Sequence, residues 1–115
     1  MTQAAVFYSG IGRVFRPYEG FVNDYSNGGA QIARLVGGDV SSTLGCGIAR
    51  YHRVKTTWVL PFDEIIHVLE GSMTVRFGEQ SWEVVPGDVL FFPRLQPVEY
   101  DVPGSVAVFY AKFPV

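Results

Sequence analysis

Glu64-Ile65-Ile66-His67-Val68-Leu69-Glu70-Gly71 and Pro86-Gly87-Asp88-Val89-Leu90-Phe91-Phe92-Pro93 are the two stretches on which the fold turns. The first carries a glutamate, six residues and a glycine; the second a glycine, five residues and a proline. Each reads as a short apolar strand with a chain reversal at one end. Gly71 can adopt the backbone conformation that turns one strand into the next. Pro86-Gly87-Asp88 has turn chemistry. Pro93 closes a strand where a missing N–H does no harm. Between the stretches, Met73, Val75 and Phe77 alternate with Thr74 and Arg76, the period of a half-buried strand. Gly78-Glu79 then reverses the chain into Gln80 to Val85, which predicts a hairpin.

Working outward, further runs rich in Val, Ile, Phe, Tyr and Trp appear at Cys46 to His52 and Val106 to Phe113, separated by Gly, Pro, Asn and Asp. That punctuation predicts an all-β sandwich or barrel. Pro103-Gly104 reads as another turn. Helix signals are almost absent: Ala30 to Val36, bracketed by glycine pairs, reads equally well as a strand. Tyr18 to Gly29 is rich in turn residues and reads as a loop preceded by an N-terminal arm. No internal repeat or linker is evident, so residues 1–115 are expected to form one domain, with 1–30 as arm and loop and 42–115 as the barrel core.

The totals agree. The chain has 115 residues, 48% of them hydrophobic and 17% charged, enough for one packed core. That apolar content is high for so short a chain and predicts that some surface covers a partner, a homodimer being the economical expectation. A net charge of -2 and scattered basic residues argue against a nucleic-acid partner. No apolar stretch approaches the roughly 18 residues of a membrane span, and Met1 to Ala5 shows no signal-peptide pattern. The single cysteine, Cys46, excludes an internal disulfide and fits a reducing compartment, so a cytoplasmic location is expected.

The two quoted motifs, in this order and at this separation, resemble the paired motifs of the cupin superfamily. The resemblance implies a single double-stranded β-helix, the cupin or jelly-roll barrel of two facing antiparallel sheets. Metal-binding cupins place two histidines, one residue apart, just before the glutamate, and a third after the second motif. The corresponding positions here hold Trp58 and Leu60, and the later stretch is Leu95-Gln96-Pro97-Val98-Glu99. Only Glu64 remains of the usual four ligands, and one carboxylate does not hold a first-row metal against water. No metal and no other cofactor is therefore expected. The run Trp58 to Glu64, continuing to Gly71, with the glycine-rich Leu44 to Ala49 before it, is similar to the cupins related to ethanolamine utilisation protein Q. The resemblance covers roughly Ser42 to Val115. It implies acetate-kinase-like chemistry as an activity.

Trp58, Leu60 and Glu64 share parity in an extended chain and should face one side. A glutamate directed into an apolar barrel should have a raised pKa and could act as a general acid or base; the plainer reading is a carboxylate bonded to backbone at the barrel mouth. Glu99 is the second candidate catalytic acid, against a solvated strand residue. Tyr51, Tyr100 and Trp58 are expected as aromatic walls with polar tips, and Asp63 either joins them at the ligand or caps the turn after Pro61. His67 has the opposite parity and should face away. His52 could face either way. Cys46, between glycines, reads as a buried inert thiol. Arg50, Arg53, Lys55 and Arg94 could grip an anion, although no phosphate-binding Gly-x-x-x-x-Gly-Lys loop is present. The leading expectation is a metal-independent pocket for a small polar metabolite. The alternatives are a non-catalytic binding or structural module, and a metalloenzyme using Glu64, Glu99 and His52.

Overall fold

The computed structural model describes residues 4–115; Met1 to Gln3, the start of the stretch without signal-peptide character, lie outside the described residues. The elements are β1 (Arg16–Tyr18), β2 (Gly29–Val36), β3 (Gly45–Val59), β4 (Asp63–Gly71), β5 (Met73–Phe77), β6 (Gln80–Val84), β7 (Val89–Phe92) and β8 (Pro97–Phe113). Among the described residues there is no helix, and hence none that could cross a membrane. The ambiguous Ala30 to Val36 run is strand, and the predicted hairpin is β5–β6, in the register Met73↔Val84 to Phe77↔Gln80.

All strand pairs are antiparallel, and two long strands tie the fold together. One face runs β1-β2-β3-β8-β4-β7. The other is built where the first half of β8 pairs with the second half of β3 on one side and with β5 on the other. β3 and β8 thus belong to both faces, and they change direction together. Their register shifts between His52 and Val54, leaving Arg53 opposite Pro103 and Gly104. Arg53 has a φ of 51° there. A bulge of this kind bends a strand and lets it pass from one sheet to the next. Pro103-Gly104 is accordingly not a turn between strands, as its composition suggests, but the corner of a continuous one.

The bulge also resets parity. Before it Gly47, Ala49 and Tyr51 point inward; after it Val54, Thr56 and Trp58 do. Both sheets supply the core, which includes Ile66, Val68, Met73, Val75, Phe92, Val98, Val102 and Val108. The alternation within each strand is what drives the sheets face to face, since each buried aliphatic side chain contributes about 1.5–3 kcal/mol.

The stretch from Tyr18 to Gly29 is strapped onto the corner. Asn23 donates from Nδ2 to the Arg53 carbonyl at 2.8 Å and accepts at Oδ1 from the Lys55 and Tyr25 amides, each at 3.0 Å. Its amide side chain replaces the backbone partner that β3 lacks at the bulge. Gly28 passes so close to Arg53 that a Cβ would collide with the Arg53 carbonyl. Gly71 has a φ of +72°, and a Cβ there would strike the Ser105 carbonyl. β1 and β2, N-terminal to the expected core at 42–115, join the same sheet.

Candidate functional site

Inside the barrel, between β2, β3, β4 and β8, lies a cavity of about 310 Å³. Glu64 lines it with Trp58, Leu60, Tyr51 and Tyr100. Trp58, Leu60 and Glu64 share this wall, as their parity predicts. Tyr51 lies on the other side of the Arg53 bulge and has the opposite numbering parity; the reset at the corner is what brings it to the same interior.

The rings interlock. Tyr100 meets Tyr51 and Trp58 edge-on, at centroid separations of 5.7 and 6.2 Å, and Phe21 packs against Trp58 at 5.2 Å. Burial pushes the Tyr51 and Tyr100 hydroxyls well above the ordinary tyrosine range, and the charge of Glu64 adds to it. Both therefore stay neutral and keep a proton to donate. The indole N–H of Trp58 is buried and has no hydrogen-bond partner among the described residues.

Burial also pushes the Glu64 carboxyl up to about 7, with the positive charge of Lys112 pulling the other way. Lys112 stands directly across from Glu64 in the β4–β8 register and lines the same cavity. The balance leaves a carboxyl that gains or loses its proton near neutral pH, the property a proton-transferring group needs.

Glu99 is separated from this group. It alternates with inward Val98 and Tyr100, so it faces the outer surface, where Arg76 pairs with it and with Asp101. Asp63 lies outside the cavity too: it accepts from the Arg94 amide at 2.9 Å and from the Arg94 guanidinium at 3.3 Å, which holds its carboxyl below the usual range. It thus ties the start of β4 to the turn after β7 instead of capping the turn after Pro61. His52 faces outward, its Nδ1 2.7 Å from Ser105 Oγ, and His67 is exposed on the outer face of β4. Cys46 is half-buried. Arg50 stacks on Phe15, and Arg53 lies over Tyr25.

The ligand set Glu64, Glu99 and His52 is therefore split over the two surfaces of the sheet. Among the described residues no three His, Cys, Asp or Glu side chains converge. The cavity offers one carboxyl with a lysine across from it, a donor set that does not fit a resident cation.

Among the lining residues that sequence reasoning missed, the titratable ones are Tyr18, Arg34, Tyr110 and Lys112. Tyr110 and Lys112 were within reach, because they continue the inward alternation of Val106 and Val108. Tyr18 and Arg34 carry no sequence signal; they enter the site through the β1–β2–β3 pairing.

The family model described as ethanolamine utilisation protein EutQ matches residues 24–115. The chain belongs to the EutQ family. Within it, "Acetate kinase EutQ" of Escherichia coli strain K12 is 35% identical over 83 residues, 72% of this chain and 36% of that relative. The chain thus spans about a third of the length of the curated EutQ relative it matches. A solved structure of a putative EutQ from Salmonella typhimurium LT2 superimposes with a TM-score of 0.71 at 25% identity, covering 88% of this chain and 94% of that one. The cupin domain of Schizosaccharomyces pombe Cnp3 superimposes with a TM-score of 0.65 at 13% identity over 75% of this chain and 61% of that one, a likeness of fold alone. The fold is the cupin jelly-roll barrel, and EutQ-type sequence runs across most of it.

Proposed function

We propose that this EutQ-family chain binds a small carboxylate-bearing metabolite in the barrel, with Glu64 as its proton donor and acceptor and without a metal ion. The observation that carries the reading is the pairing of one buried, neutral-pH-titrating carboxyl with an otherwise donor-rich wall. Tyr51, Tyr100 and Tyr110 supply hydroxyls, while Arg34 and Lys112 supply positive charge. An acceptor-rich anion satisfies such a wall, and protonated Glu64 adds a further donor to it. A volume of about 310 Å³ sits at the lower end of small-molecule sites and suits a ligand of a few heavy atoms.

The relative's name, acetate kinase, makes acetate the first probe. Phosphoryl transfer to acetate held beside Glu64 would place the nucleotide at the mouth of the cavity. Acetate titrated by calorimetry is expected to bind the purified chain at pH 6 and to weaken as pH rises through about 7, where Glu64 ionises and repels it. Glu64→Gln, which keeps a donor and cannot ionise, is expected to remove that pH dependence while retaining binding. Unchanged pH dependence in Glu64→Gln would sink the role of Glu64. Formation of acetyl phosphate and ADP from acetate and ATP extends the reading to kinase chemistry; an inert chain that still binds acetate restricts it to binding.

A further inference from the structure

The barrel cavity is divided along its length. At one end Arg34 and Tyr110 flank Gly47 in register, and Lys112 stands between Gly45 and Glu64. Glycine at both β3 positions leaves that end to the two cations and the carboxyl. The middle is hydrocarbon: Ala49, with Ile32 and Val108 in register on either side of it, lines the same space. The far end is walled by two phenols from facing sheets. Tyr51 lies on the stretch of β3 paired with β2, and Tyr100 on the stretch of β8 paired with β5.

Acetate cannot reach both ends. Gly47 and Tyr51 are four residues apart on β3, about 13 Å of strand. The cavity of about 310 Å³ has the volume of roughly ten water molecules, and acetate fills less than half of it. A carboxylate offers about four lone-pair sites. Arg34, Lys112, Tyr110 and protonated Glu64 supply at least that many donors at the charged end. Tyr51 and Tyr100 remain. Among the described residues the one tyrosine hydroxyl with a protein partner is that of Tyr25, on Asp101. Buried hydroxyls are almost always partnered. The Tyr100 ring is also held in place, with Tyr51, Trp58 and Phe92 around it at centroid separations of 5.7, 6.2 and 6.2 Å.

A ligand that serves the whole cavity has an anionic head, a short hydrocarbon middle and an oxygen at its other end. We infer that the barrel takes an ω-hydroxy or ω-oxo carboxylate of about four to six carbons, its carboxylate held by Arg34 and Lys112 and its terminal oxygen by Tyr51 and Tyr100. This rests on the reading that the barrel binds a carboxylate, and it names the rest of the molecule. Tyr51 and Tyr100 set the specificity: a plain fatty acid of the same length leaves both hydroxyls unpaired, and a site built to hydrogen-bond an oxygen rejects the analogue that lacks it.

Calorimetric titration of the full chain at pH 6 with acetate, pentanoate and 5-hydroxypentanoate tests the inference. The hydroxy acid is expected to bind at least about tenfold more tightly than pentanoate. In Tyr51→Phe combined with Tyr100→Phe, which keeps both rings and removes both hydroxyls, the ratio of the two affinities is expected to fall to about one. Equal affinities in the wild-type chain, a comparison that needs no variant to fold, overturn the inference. So does a preference for the hydroxy acid that survives the loss of both hydroxyls. Acetate binding without any preference between the two longer acids rejects this inference and leaves the carboxylate reading standing, whereas a chain that binds none of the three rejects both.

Discussion

Glu64 is where pH, stability and binding meet. Its carboxyl titrates near 4.5 when the chain is unfolded and near 7 in the barrel, because burial penalises the charged form more than Lys112 relieves it. Between those values the folded state holds a proton that the unfolded state has released. Stability is then fully present below pH 4.5 and falls as pH rises through 7. At about 1.4 kcal/mol per pKa unit, the loss is roughly 3 kcal/mol. Thermal melts at pH 5 and pH 8 are expected to show wild type less stable at the higher pH, and Glu64→Gln to flatten that difference; an equal slope in the variant would contradict the assignment. Asp63 works in the opposite sense, since Arg94 lowers its pKa, and its contribution disappears only as pH falls below the carboxylate range. Gly71 is the second decisive residue. In Gly71→Ala, a left-handed conformation and a collision with the Ser105 carbonyl act together, so the expected cost is about 3 kcal/mol or more, read as a lower urea midpoint.

At the level of elements, the corner shared by β3 and β8 decides which side chains reach the interior. Without the shift at Arg53, Tyr51 and Trp58 would lie on opposite surfaces of one strand. The strap from Tyr18 to Gly29 holds that corner, and Asn23 makes two bonds to it and a third within the strap. Removing them in Asn23→Ala leaves two backbone amides and a carbonyl without those partners, at an expected cost of about 1–3 kcal/mol. For a chain of this size that corresponds to a fall in Tm of roughly 5–10 °C. The same variant is expected to weaken acetate binding, because the strap carries Phe21 against Trp58. A Tm unchanged to within a degree would show that the corner holds its shape without the strap.

Across the whole molecule, the cavity exists because two sheets meet around small residues as well as large ones. Ala49, 3% exposed, and Ala30 line it beside the aromatic rings. Ala49→Phe places a ring in that space, and is expected to lower acetate affinity at least tenfold while the protein still folds. If the variant binds acetate as wild type does, the ligand sits elsewhere.

How much of this was legible beforehand follows from the reach of each signal. Gly71, Gly87 and Pro93, with the alternation between them, fixed the hairpin and the all-β class, because turn chemistry and period-two burial act over a few residues; the choice of barrel came from the resemblance to the paired cupin motifs. The inward side of Glu64 was readable for the same local reason, whereas Trp58 and Leu60 were singled out by the cupin resemblance, in whose metal-binding members those positions hold histidines. What no local pattern could disclose was the corner. Pro103-Gly104 has the composition of a turn, and only its pairing with β3 makes it a bend within one strand. Parity counted along the chain therefore holds up to Arg53 and resets beyond it, which is why His52 could not be assigned a side. The surface destination of Glu99 and Asp63 was equally out of reach, since Arg76 and Arg94 lie 23 and 31 residues away and meet them only across strands. Side-chain alternation is a property of one strand; which face becomes interior is settled by the partners that strand acquires.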